Sequence, residues 1–86
     1  MGASKNVLMV AHDNKVEALR MATGLTLFDD AVRVIVVDGL PQDEAAQVQI
    51  ESLEFAEVPI EHVDGSDEGV RALASAIVQA DAVFVV

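Results

Sequence analysis

The chain has 86 residues and a mass of 9.1 kDa, the size of one small domain. An apolar fraction of 52% and a mean hydropathy of +0.40 exclude a disordered chain and allow one modest core. Five Lys and Arg against 15 Asp and Glu leave a net charge of −10, which repels phosphate backbones and anionic membrane surfaces, so neither nucleic acid nor membrane is an expected partner.

The first apolar block spans residues 7–11. It is too short for the apolar core of a secretory signal, and no run approaches the ~20 residues of a membrane span. Gly2 is not followed by Ser or Thr at the position that myristoylation requires, which holds Asn6. Three further Val-rich runs lie at 32–37, 58–63 and 82–86. All four have strand length and polar boundaries.

The intervening segments read as helices. The first covers residues 14–28, with Asp13 or Asn14 as cap and Glu17 in the first turn. It carries two apolar stripes, one through Val16, Leu19, Thr23, Thr26 and Leu27, the other through Ala18, Met21, Leu25 and Phe28. Asp29 and Asp30 end it. The second helix covers 42–55, with Pro41 at its start. Ala46, Ile50 and Leu53 face one way, Ala45, Val48 and Phe55 another, and Gln47, Glu51 and Glu54 form the solvated side. The third covers 67–80, capped by Ser66, with Val70, Leu73, Ala74 and Ile77 as its expected core stripe.

The element order is thus β-α-β-α-β-α-β, which predicts a small three-layer α/β/α sandwich around a four-stranded parallel sheet. Pro59 makes the third strand an edge strand. Right-handed crossovers then favour the order 3-2-1-4, with the switch point between the first and fourth strands. No linker, repeat or low-complexity segment divides the chain into further domains.

Ligands of open α/β sheets bind beyond the carboxyl ends of the strands. Those ends carry His12, Asp13 and Asn14 after the first strand, Asp38 and Gly39 after the second, and His62, Asp64, Gly65 and Ser66 after the third. His12, Asp13, Asn14, Asp38, His62 and Asp64 are therefore the candidate ligand-binding residues. Two histidines and three aspartates on one rim have the chemistry for a divalent metal or for acid–base work. The competing reading, weighted about four to one, makes the Asp and Asn residues turn and cap formers. No metal site and no cofactor are assigned.

Several motifs are absent. The sequence has neither the glycine fingerprint of dinucleotide-binding folds nor a P-loop. A phosphoacceptor reading of Asp13 and Asp38 lacks the Lys that would have to cluster with them at the strand ends, since no Lys or Arg lies beyond Arg71. Ser66, His62 and Asp64 crowd one turn, without a nucleophile elbow. Cysteine is missing, which removes disulfides, thiolate metal sites and sulfur nucleophiles. The chemistry leans away from an enzyme.

The stretch from Lys15 to Leu25 containing Ala22-Thr23-Gly24, followed by Val32-Arg33-Val34-Ile35-Val36-Val37-Asp38-Gly39, resembles the opening of the DsrE/DsrF/DsrH-like proteins, the group that includes the TusBCD sulfur-relay subunits. The close is similar too. Residues 69–86, with their Ala80-Asp81 turn, resemble the final helix and last strand, and 50–63, with Val58-Pro59-Ile60, resembles the helix and strand before the reactive loop. The resemblance implies a cytoplasmic α/β protein that assembles with itself or a related subunit. Active members carry a persulfide on a cysteine after the third major strand. Here that region reads His62-Val63-Asp64-Gly65-Ser66, so sulfur carriage is not expected.

Helices with two apolar stripes hold more apolar surface than a four-stranded sheet buries. Met21, Leu25, Phe28, Val48 and Phe55 are accordingly expected at an interface between chains, by about two to one over packing helix on helix within one chain. The row Glu51, Glu54, Glu57 and Glu61 is either a docking face for a basic partner or, by about three to one, a solvated face.

Overall fold

The computed structural model describes residues 5–27, 31–39 and 43–86. Phe28, Asp29, Asp30, Pro41 and Gln42, together with Gly2, lie outside the described residues. The elements are β1 (Asn6–Ala11), α1 (Lys15–Leu25), β2 (Ala31–Val37), α2 (Glu44–Phe55), β3 (Ile60–Val63), α3 (Asp67–Gln79) and β4 (Ala82–Val85). The sheet is parallel throughout, in the order β3-β2-β1-β4. The fold is therefore the expected small α/β sandwich.

Strand alternation sorts the sheet into two faces. One face presents Met9, Ala11, Val32, Val34 and Val36, which pack against Ala18, Leu19 and Ala22 of α1 and Ala46 and Leu53 of α2. The other presents Leu8, Val10 and Ile35, which pack with Ala76 of α3. Full burial of each large aliphatic side chain contributes about 1.5–3 kcal/mol. The first face holds most of these residues, so most of the hydrophobic stabilisation lies there.

Each helix starts on a side-chain cap. Asn14 Oδ1 accepts the Glu17 N–H at 3.4 Å, Asp43 Oδ1 that of Ala46 at 2.9 Å, and Ser66 Oγ that of Gly69 at 3.2 Å. The Asp43 cap explains why α2 begins at Glu44. At its other end the Glu57 N–H donates to the Glu54 carbonyl and the Val58 N–H to that of Leu53. Glu57 takes φ 62°, the left-handed residue of a Schellman close. Val58 is thereby spent on ending α2, and β3 starts only at Ile60.

Two helix faces depart from the expected patterns. In α1 the buried residues are Leu19 from one stripe, Ala18 from the other and Ala22 from neither, so the helix rests on the sheet between the two stripes. In α3 the core side is Gly69, Leu73, Ala76 and Ala80, while Val70 and Ile77 face outward. The reason is steric. A Cβ on Gly69 would lie 2.2 Å from the Asp64 carbonyl oxygen, so the smallest residues mark the line where α3 lies closest to the rest of the fold.

Leu53→Ala is expected to lower unfolding free energy by about 2–5 kcal/mol in urea titration, whereas Val78→Ala, at an 83% exposed position, stays within about 0.5 kcal/mol of the parent. Gly69→Ala is expected to destabilise by about 1–3 kcal/mol, although alanine is the better helix former, because its methyl group meets backbone.

Candidate functional site

The carboxyl ends of the strands form a rim, as the topology requires. At the switch point the N–H groups of His12 and Asp13 both donate to the Val86 carbonyl, at 2.8 and 3.0 Å. These bonds tie the loop after β1 to the end of β4. Lys15 Nζ donates to the Gly39 carbonyl at 2.5 Å and ties the start of α1 to the turn after β2. That turn places Asp38 at φ 60° and Gly39 at φ 84°, with the Asp38 N–H donating to the Val63 carbonyl at 2.9 Å. The rim is thus laced together mainly by backbone groups.

The predicted site residues separate into distinct settings along this rim. His12 and Asp13 are exposed, with Nδ1 3.5 Å from the Asp13 carboxylate. Asn14 caps α1, and Asp38 is exposed in its left-handed turn. Only His62 and Asp64 share a hollow, of about 340 Å³, with Ser66 and Glu68 beside the first turn of α3. Among the described residues no three His, Asp or Glu side chains converge where a metal ion could be held. The five His and Asp residues of the rim therefore do not form one metal-binding constellation.

Asp64 is engaged by its own loop. Its Oδ1 accepts the Ser66 N–H at 3.0 Å and the Ser66 hydroxyl. These donors, the hydroxyl first, hold its carboxyl below the usual aspartate range. Ser66 in turn caps α3. The same hydroxyl both donates to Asp64 and accepts from Gly69, which is a structural use of the residue.

A larger hollow, of about 520 Å³, lies at the opposite end of the sheet among Asn6, Ala31, Arg33, Glu57, Pro59 and Gln79. Its chemistry is sparse. The Arg33 guanidinium is paired with Glu61 across β2 and β3, and the lining includes no histidine. It is the roomier of the two hollows, and its ionisable lining residues are Arg33 and Glu57.

Sequence reasoning missed two features. Lys15 acts as a brace between two rim loops, a role that needs the three-dimensional proximity of α1 and the β2 turn. The Arg33–Glu61 pair was also missed, although parallel pairing of Ile35 with Glu61 places both charges on the α3 face of the sheet. The five residues expected at an interface divide as well. Val48 and Phe55 are exposed, Met21 lies at the edge of exposure, Leu25 packs against the core, and Phe28 is outside the described residues.

No family model matches the chain, and no curated protein or solved structure is significantly similar to it.

Asp64 gives the site a pH signature. Its folded-state pKa is depressed, so its contribution to stability is complete above the ordinary aspartate pKa and is lost as pH falls through the folded value. The urea midpoint of the parent is expected to fall on acidification through that window. Asp64→Asn should have a lower midpoint at neutral pH and a shallower acid slope.

Proposed function

We propose that this chain is a non-catalytic, self-associating subunit, a cysteine-free relative of DsrE-like sulfur-relay proteins that works in the cytoplasm. One observation carries the reading. Large apolar side chains remain at the surface of both outer layers, with Phe55 92% exposed on α2 and Val70, Ile77 and Val78 exposed on α3. A chain of this size has little core to spare, and exposed apolar area of this kind marks protein contact.

Three further observations support it. The chain has no cysteine, so it carries no persulfide of its own. Asn14, Asp64 and Ser66 serve as caps and turn formers. The segments that resemble the sulfur-relay group cover α1 with most of β2, the second half of α2 with β3, and most of α3 with β4. No helix among the described residues is long and apolar enough to cross a membrane. In this reading the partner is another copy of the chain or a related subunit.

Light scattering on a sizing column tests this. The expected mass exceeds that of one 9.1 kDa chain at micromolar concentration and is unchanged by EDTA or added Zn²⁺. A single-chain mass at all accessible concentrations would overturn the proposal. A mass that follows the metal would instead favour a ligand-dependent role for the rim.

A further inference from the structure

The outer side of α2 carries an apolar seam. The buried residues of the helix, Ala46 and Leu53, pack into the core below it. On the other side Ala45, Val48, Ser52 and Phe55 follow one another at intervals of three, four and three, the a and d spacing of a helix that packs against a second helix. All four are exposed, Val48 at 57% and Phe55 at 92%. Ten residues of helical rise make the seam about 15 Å long. An aromatic ring at such a position has the size and rigidity of a binding anchor.

Charge selects what covers the seam. Residues 34–70 hold ten Asp and Glu and no Lys or Arg, while the rest of the chain holds five acidic and five basic residues. The entire net charge of −10 therefore lies on the stretch from β2 to the first turn of α3, with α2 at its middle. In heptad terms Glu44 and Glu51 occupy the flanking position from which paired helices choose their partners. Glu54 and Glu57 lie near the Phe55 end and are exposed too. Of the cations outside the stretch, Arg20 is held by Glu17 and Arg33 by Glu61.

Three kinds of occupant can be compared. A second copy would add ten more carboxylates to the same field and no Lys or Arg from its own residues 34–70. A neutral apolar helix would cover Phe55 but desolvate the flanking carboxylates without a counter-charge. A basic helix covers the ring and neutralises the flank. We infer that the outer face of α2 docks an amphipathic helix of a partner protein, whose apolar stripe is bordered by Lys or Arg. This interface does not rest on self-association, and self-association through the exposed apolar residues of α3 is compatible with it.

The probe is a fluorescently labelled synthetic peptide of about 21 residues, three heptads with Leu at a and d and Lys elsewhere. Anisotropy follows its titration with the parent protein. Saturable binding is expected, at least about tenfold tighter than for a peptide with Ser in place of Leu or one with Glu in place of Lys. Phe55→Ala is expected to weaken the Leu–Lys peptide by about tenfold or more, with unchanged circular dichroism because the ring is exposed. Glu44→Gln combined with Glu51→Gln is expected to weaken it as well. Asp13→Asn combined with Asp38→Asn removes equal charge from the exposed rim and is expected to stay within about twofold of the parent.

Failure of the Leu–Lys peptide to bind overturns the inference. So does equal binding of either control peptide, an unchanged affinity in Phe55→Ala, or an equal loss in the α2 and rim charge variants. Light scattering separates this interface from self-association. A single-chain parent that binds the peptide through Phe55 overturns self-association alone, and a multimeric parent that does not bind it overturns the α2 interface alone.

Discussion

The molecule depends on β1. Val7, Leu8, Met9, Val10 and Ala11 are all buried, and no charged residue interrupts them. Each of the two strands that flank β1 pairs with it in parallel, and each face of β1 packs against a different helix layer. Parallel strands require crossovers, and right-handed crossovers from a central strand leave few ways to place three helices. The switch point and the rim follow from this one buried strand.

At the rim, cap and turn chemistry engages Asn14, Asp64 and Ser66. Asp, Asn and Ser accept helix N–H groups because a helix start leaves those donors without partners. Once Asn14, Asp43 and Ser66 serve as caps and Lys15 braces a carbonyl, much of the polar inventory near the strand ends is committed. Its lowered carboxyl pKa fits Asp64 to hold a loop, because a general acid or base acting near neutral pH needs the opposite shift. In the acidic row Glu51, Glu54 and Glu57 are exposed, and Glu61 is paired with Arg33.

Strand runs and cap residues were legible in the sequence because each is a local signal. Val-rich runs bounded by polar residues located all four strands, and their order followed from handedness and from Pro59. Helix faces were less legible. The stripe of Val70 and Ile77 has the period of a core face, yet α3 turns its small residues inward because Gly69 lies against the Asp64 carbonyl. Hydrophobic period reports which residues share a face and not which face the sheet takes. The rim residues had the reverse difficulty. Their types were correct for binding chemistry, but their distances and hydrogen bonds are properties of separate loops that no spacing encodes.

The self-association proposed above and the basic helix inferred for α2 together assign a use to the apolar side chains left exposed on α2 and α3. Sedimentation equilibrium across protein concentration is the most direct test of self-association. The account predicts a mass above that of one 9.1 kDa chain at micromolar concentration, and a single-chain mass at every accessible concentration would contradict it.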